Sequence, residues 1–395
     1  MKNYDLVLIV GYFRSATAFL PVIRALSTRL RIAVLFVDAD PSMRRKTGDA
    51  HEVFADLCRR FGADLINLGE PISATLLIVQ QFPYDDDLAE AIQKNLLAKN
   101  RAGLMSLAMT GLEKHDAFLK QFQIEKVYIP SRRFMTFLLQ KRAALSRYDG
   151  ISIVEVGLPF SRHCIFPEFK VDWIIVAPTL FSFHSEEGKQ HFLCTVNQLL
   201  QQIPPDDVVV YKSHNGNSLD YFAPRIHYLI SGALERIPNS QSILKFVRKN
   251  SSPWLRSHVD RINTCILHRA ILRRATPMSR ITPYAGISLE AFLPGVMKGV
   301  IGGLSNSIWG TLYFDLPYYN CVDLTLRQGK SALINKFSDT LLDLNLEYFG
   351  VPFCNGRLDT DTRKQNIVQP DERAGDLVAA IMEDLAHAYA DGNAT

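Results

Sequence analysis

Apolar positions along this chain alternate between short continuous runs and stripes of helical spacing. Leu6 to Val10 is an unbroken apolar run that predicts a first strand, and the loop Gly11-Tyr12-Phe13-Arg14-Ser15 follows it. Ala16 to Leu30 carries apolar residues at a spacing near 3.6, as a helix requires, and Ile32 to Val37 reads as the next strand. A strand is expected at Ala63–Leu68, and helical patterns fill Asp87–Gln121. Strand Lys126–Ile129, loop Pro130–Arg133, helix Phe134–Leu145 and strand Ile151–Val154 complete the first half. The rhythm of strand and helix argues for a parallel sheet with helices on both faces.

The pattern breaks between Pro159 and Val171, where periodicity is lost. The expected boundary lies there, dividing residues 1–165 from 166–395. Alternation then resumes: strand Trp173–Val176, helix Glu186–Gln202, strand Val208–Tyr211 and helix Tyr221–Leu234. Strand Gly299–Ile301, helix Ser307–Phe314, strand Tyr318–Val322 and a closing helix Glu372–Tyr389 follow. The last helix is placed to pack back on the first domain. The expected fold class is α/β, with two doubly wound, Rossmann-like domains facing a cleft. Ligands of such sheets bind outside the carboxyl ends of the strands.

Composition agrees with a globular chain: 395 residues, 47% hydrophobic, 21% charged, formal net charge +4. No apolar run reaches the roughly 18 residues of a membrane-spanning helix. The first residues read as a strand and lack a secretory leader pattern, so a cytoplasmic location is expected. Six scattered Cys form no CxxC pair and read as free thiols. The charge is uneven. Lys245 to Arg274 holds eight Lys/Arg against the single acid Asp260, with Ile243, Leu244, Phe246, Val247, Trp254 and Leu255 interleaved or adjacent. Such a segment is either a solvated helix face or a peripheral contact with an anionic membrane surface. Nucleic acid is excluded as a partner, because the net charge is modest and no recognised nucleic-acid motif accompanies the patch.

Two polar loops follow strands in the second half. Lys212-Ser213-His214-Asn215-Gly216-Asn217 comes directly after Val208–Tyr211. Lysine supplies a point charge and histidine a donor for a phosphate oxygen; the alternative is a structural histidine. The second loop, Gly302-Gly303-Leu304-Ser305-Asn306-Ser307, sets two hydroxyls and an amide where a helix should begin. Backbone N–H groups and the helix dipole favour an anion there, although the cluster also reads as an N-cap. Glu290, expected at a strand-to-helix junction, could accept hydrogen bonds from both ribose hydroxyls, or serve as a helix-start acid. Glu155 ends strand Ile151–Val154, expected to be buried, where a carboxylate is costly unless used or paired; it could take a proton from an acceptor hydroxyl, or pair with Arg132, Arg133 or Arg162. His163 and Asp40 are lesser candidates for that proton. Asp38-Ala39-Asp40 reads as a polar strand end, and no metal site or cofactor is expected.

Four stretches in this order resemble bacterial sialyltransferases of the GT-B fold, including the polysialyltransferase and lipooligosaccharide groups. Glu155-Val156-Gly157 is similar to their acidic-acidic-Gly motif and Lys212-Ser213-His214-Asn215 to their Lys-x-His-Pro. Pro283-Tyr284-Ala285-Gly286-Ile287-Ser288-Leu289-Glu290 resembles Pro-x-x-Ile-x-x-Glu, and Gly302-Gly303-Leu304-Ser305-Asn306-Ser307 resembles Gly-Gly-x-x-Ser-Ser. Three positions depart: Asn215 for Pro, Asn306 for the first Ser of the pair, and Val156 before Gly157. The resemblance implies an inverting, metal-independent transferase that moves a sialic-acid-like or other ulosonic sugar from CMP to a hydroxyl of a surface glycan or glycolipid. It implies that Lys212 and His214 contact the CMP phosphate, with Ser305, Asn306 and Ser307 on its other side. Glu290 would bind the ribose and Glu155 would be the general base. Enzymes that transfer CDP-glycerol or CDP-ribitol into teichoic-type polymers carry a related pattern. Two further function classes stay open: a UDP-sugar epimerase or transferase, and a non-catalytic polysaccharide-assembly subunit.

Overall fold

The computed structural model describes residues 1–11, 17–37, 50–105, 116–132, 135, 145–160, 162–177, 185–213, 223–303, 310–311, 313–322 and 376–392. Its first sheet contains β1 (Lys2–Val10), β2 (Ile32–Phe36), β3 (Asp64–Ile66), β4 (Ile72–Gln80), β5 (Leu96–Leu104), β6 (Lys126–Ile129) and β7 (Ser152–Glu155). They run in the order β3-β2-β1-β4-β5-β6-β7, and the registered pairs are parallel. Leu6 to Val10 are fully buried, because helices cover both faces of a parallel sheet and leave no polar side to alternate with. Helices α1 (Leu20–Leu26), α2 (Ala50–Arg60), α3 (Asp86–Lys94) and α4 (Phe118–Gln121) belong to this half.

The helical reading of Asp87–Gln121 is corrected here: among its described residues Asp87–Lys94 and Phe118–Gln121 are helical, and Leu96–Leu104 between them is a strand. Leu96 to Lys99, Arg101 and Ala102 are good helix formers taken singly, but tertiary pairing overrides that preference. The strand is registered with β4 from Ile72↔Leu96 to Gln80↔Leu104. Gly103 shows how the face is packed: a Cβ there would lie 2.7 Å from the Phe118 ring, so the glycine lets α4 lie close against the sheet.

The second sheet contains β8 (Val171–Val176), β9 (Val209–Lys212), β10 (Thr276–Pro277), β11 (Val296–Gly302) and β12 (Tyr318–Asn320), in the order β10-β9-β8-β11-β12. Its pairs are parallel too. The chain is therefore α/β with two doubly wound parallel sheets in series, the GT-B plan. Helix α5 (Glu186–Gln202) starts where Ser185 accepts the Gly188 N–H at 3.0 Å and Glu186 and Glu187 meet the positive end of the dipole. Helix α6 (Arg225–Leu234) starts directly after Pro224, because proline fits the entrance of a helix but not its interior. The basic segment forms two helices, α7 (Ser240–Asn250) and α8 (Pro253–Arg274), divided at Ser251-Ser252-Pro253. The last helix, α9 (Leu377–Gly392), lies on the first sheet: Asp384 meets Lys126 and Tyr128, and Tyr389 meets Asp5. No helix among the described residues is long and apolar enough to cross a membrane.

One apolar core runs from β1 and β4 through Phe160, Phe166 and Phe169 of the connector to Phe292, Leu293 and the second sheet. Phe166 stacks on Phe292, with centroids 4.7 Å apart, and on Tyr284 at 5.7 Å. Gly295 makes this packing possible, since a Cβ there would stand 2.0 Å from the Phe169 carbonyl oxygen. Backbone cannot move aside as a side chain can. Gly295→Ala is therefore expected to cost about 3 kcal/mol or more, near the upper end for overpacking. A urea titration showing an unchanged midpoint would contradict it.

Two buried histidines set a pH dependence. His268 lies under β9 with its ring against Tyr211 and its Nδ1 2.8 Å from the Tyr228 hydroxyl. Burial pushes its pKa down from 6.5 to about 3. Burial, and then the neighbouring His258 and Arg261, also lower His227. Below pH 6.5 the unfolded chain binds protons that the folded chain refuses. For His268 this contribution is thus full above that pH and declines as pH falls toward 3, by up to about 1.4 kcal/mol per pH unit; His227 adds to it in the same direction. Unfolding midpoints between pH 7 and 4.5 measure this slope, and His268→Gln is expected to flatten it.

Candidate functional site

The carboxyl ends of three strands come together in the second sheet. Val176 is registered with Lys212, and Ile175 with both Tyr211 and Ile301, so the ends of β9, β8 and β11 stand side by side. Adjacent strands lie about 4.8 Å apart, which sets Lys212 and Gly302 about 10 Å from one another. Chain order places β9 on one side of β8 and β11 on the other. The reversal between β8 and β11 is a topological switch point, where open α/β sheets leave a crevice for ligand.

Gly302 and Gly303 leave β11 at this crevice. A Cβ on Gly302 would lie 2.6 Å from the Tyr318 hydroxyl and 3.3 Å from the Val176 carbonyl oxygen, so glycine is needed for close approach. Tyr318 then donates to the Gly303 carbonyl and fixes the start of the loop. Lys212 is 8% exposed, and its ammonium donates to the carbonyl of Ala285 at 2.8 Å. The lysine thereby ties β9 to the stretch Pro283–Glu290.

That stretch is the hub of the site. Tyr284 reaches Asp56 of α2 at 3.4 Å, and the Arg60 guanidinium sits 5.7 Å from its ring centroid. The hydroxyl of Ser288 lies 2.7 Å from that of Thr17, which follows the loop after β1. The first sheet's carboxyl end is thus joined to the second sheet's hub. Glu290 lies in a 3₁₀ turn, Leu289–Ala291, which corrects its expected place at a strand-to-helix junction. Its side chain rests against Gly310, whose Cβ, if present, would be 3.1 Å from Glu290 Cγ. Gly310 is helical and follows the Gly302–Ser307 stretch by three residues. Lys212, Glu290 and the Gly302-Gly303 pair at the end of β11 are therefore brought to one region. His214, Ser305, Asn306 and Ser307 lie outside the described residues, as do Arg133, Asp38 and Asp40.

Glu155 stands elsewhere. It ends β7, the edge strand of the first sheet, and is half-buried rather than enclosed as a central strand would make it. Its carboxylate accepts the backbone N–H of Arg132 at 2.8 Å, while the Arg132 guanidinium donates to the Ile153 carbonyl at 2.9 Å. Gly157 follows with φ of 67°, a left-handed conformation that explains glycine in Glu-Val-Gly. β7 is three strands from β4, about 14 Å along the sheet. His163 faces Asp376 at the start of α9, with Nε2 to carboxylate 3.3 Å, and Arg162 reaches the same carboxylate at 3.6 Å.

Sequence reading passed over Thr17 and Gln80. Gln80 is 1% exposed at the carboxyl end of β4 and accepts the Gly11 N–H at 3.0 Å. This bond bridges β1 and β4, the first sheet's own switch point. The signal for it was a pair of glutamines, Gln80-Gln81, closing an apolar run. Among the described residues no group of three or more His, Cys, Asp or Glu is placed to hold a metal ion.

No protein-family model matches the chain, and no curated protein matches it. Solved structures similar to it include the S. aureus MnaA–UDP complex, at 10% identity and a TM-score of 0.40 over 99% of this chain and 97% of that one. A UDP-glucosyltransferase from Polygonum tinctorium, in complex with 3,4-dichloroaniline, is 8% identical with a TM-score of 0.41, over 98% and 93%. The calicheamicin glycosyltransferase CalG4 is 10% identical with a TM-score of 0.38, over 98% and 95%.

Proposed function

We propose that the chain is an inverting glycosyltransferase that moves a sialic-acid-like or other ulosonic sugar from a CMP donor to a hydroxyl of a surface glycan. The observation that carries this reading is the convergence of Lys212, the Pro283–Glu290 hub and the Gly302-Gly303 pair at the switch point of the second sheet. His214 follows Lys212 by two residues, and Ser305, Asn306 and Ser307 follow the glycine pair. CMP leaves with a single phosphate. Lys212 supplies positive charge beneath it, His214 and the Ser307 hydroxyl supply donors, and Ser305 and Asn306 complete the cradle. Such preorganised groups gain most where charge develops in the transition state. Glu290 accepts the ribose hydroxyls. As the glycosidic bond to phosphate breaks, the sugar centre takes on oxocarbenium character. The acceptor hydroxyl attacks the opposite face and gives its proton to Glu155. The joined carboxyl ends of the two sheets shield the donor from water.

A thermal-shift panel of CMP, CDP, UMP and UDP tests the reading. A nucleotide at 100 times its dissociation constant stabilises the folded state by about 2.7 kcal/mol. CMP is expected to raise the melting temperature, with UMP and UDP without effect. A larger shift with CDP would move the donor to a CDP-alcohol and the reaction to phosphotransfer. A shift with UDP alone, or with none of the four, would end the proposal.

A further inference from the structure

The helices α6, α7 and α8 expose large apolar side chains that their own packing leaves uncovered. Leu229 is 72% exposed, Phe246 70% and Trp254 71%, and Ile226, Ile243 and Leu255 are exposed beside them in sequence. The same helices have well-formed buried faces: Leu244, Val259 and Ile262 pack together, and so do Tyr228 and Cys265. The outward apolar residues are thus additional to a complete core. On α6, Ile226, Leu229 and Ile230 recur at helical spacing on the side opposite His227, Tyr228 and Ser231.

The same helices are basic along their length. Residues 225–274 hold ten Lys/Arg and two acids, whereas the whole chain has a net charge of only +4. Both acids are engaged: Asp260 with Arg248 at 2.5 Å, and Glu235 with Arg273 at 2.5 Å and Arg269 at 3.2 Å. Lys245 and Lys249 stand exposed on α7, in sequence on either side of Phe246.

Topology fixes where this surface lies. Arg274 leads through Ala275 into β10, which runs parallel to β9, so the carboxyl end of α8 is at the amino edge of the second sheet. α8 has 22 residues and is about 33 Å long, which carries Trp254 toward the carboxyl edge. α7 turns back beside it, with Arg248 on Asp260, and so brings Phe246 near the same end. α6 follows β9 in the chain and lies with its first turn on the second turn of α8, where His227 Nε2 is 2.9 Å from His258 Nδ1. Phe246 and Trp254, with Lys245 and Lys249, therefore lie toward the side to which Lys212 and Gly302 open, while Arg269, Arg273 and Arg274 lie at the far end of α8.

We propose that the amino ends of α6 and α8, with the carboxyl end of α7, dock on an anionic phospholipid surface, Phe246 and Trp254 entering the interface and Lys245 and Lys249 meeting the headgroups. Aromatic and aliphatic side chains interleaved with exposed lysines suit a bilayer interface, where apolar burial and attraction to anionic lipid act together. No described helix can span a bilayer, so the contact is one of lying on the surface. The site already described then faces the membrane, where a lipid-linked acceptor would be presented. The docking does not depend on which nucleotide the site takes.

Co-sedimentation of the full chain with vesicles of phosphatidylcholine and phosphatidylglycerol, about 3:1, tests this. Binding is expected to anionic vesicles and to be at least about tenfold weaker to pure phosphatidylcholine or at high salt. Phe246→Ser/Trp254→Ser and Lys245→Glu/Lys249→Glu are each expected to weaken it about tenfold or more, with unchanged melting temperature, because all four side chains are exposed. Tryptophan emission should shift to the blue on vesicles, and Trp254→Phe should remove that shift. Equal binding by wild type and both double variants would overturn the proposal. So would no binding together with a dimer, seen by light scattering, that Phe246→Ser/Trp254→Ser dissociates, since the surface would then meet a second copy of the chain.

Discussion

His214→Ala is expected to lower transfer from a CMP-linked donor about 10²–10³-fold, the usual cost of one donor to a developing anion. The loss should fall on kcat/KM, with part in kcat, because the phosphate gains charge as the glycosidic bond breaks. The melting temperature should stay where it was. Lys212, where β9 ends, ties this region together through its ammonium on the Ala285 carbonyl, and the variant leaves that bond in place. Full activity in the variant would remove His214 from the site. Lys212→Met should behave differently. It removes the charge and also leaves the Ala285 carbonyl without this donor, so activity and stability should fall together.

Glu155→Gln is expected to retain CMP binding and to slow chemistry about 10²–10⁴-fold, the range for a general base. Glutamine can still accept the Arg132 N–H, so the β7 end and the Gly157 turn should persist. The outcome is sharply informative because Glu155 lies toward the edge of the first sheet, three strands from β4. A base there needs the acceptor to extend across the strand ends from the nucleotide crevice. Unchanged turnover would mean that the proton leaves by another route. His163 would be the next residue to substitute, although its pairing with Asp376 ties it to the start of α9.

What the sequence disclosed, it disclosed through local signals. The apolar run Leu6–Val10 lies within β1, and the expected helix Glu186–Gln202 is α5 to the residue. The strand β4 went unassigned and β5 was taken for helix, for one reason. Neither segment carries a period that separates strand from helix: β4 is a largely apolar run, Leu96–Leu104 mixes Lys99, Asn100 and Arg101 with apolar residues, and the two are joined by their pairing. The candidate site shows the same division. Lys212 and Gly302-Gly303 stand out because polar and glycine residues follow apolar runs. That Ala285 receives the Lys212 ammonium, that Ser288 meets Thr17 and that Glu290 lies on Gly310 are contacts between distant segments. Spacing along the chain does not encode them. Neither was it visible that β7 is an edge strand, which removes the expectation that Glu155 is buried at a high desolvation cost.

The most direct test is a crystal structure of the chain with CMP. The phosphate is expected between the ends of β9 and β11, within hydrogen-bond distance of His214 and Ser307, with the ribose hydroxyls on Glu290. CMP bound elsewhere, or His214 and Ser307 found on separate surfaces, would contradict the account.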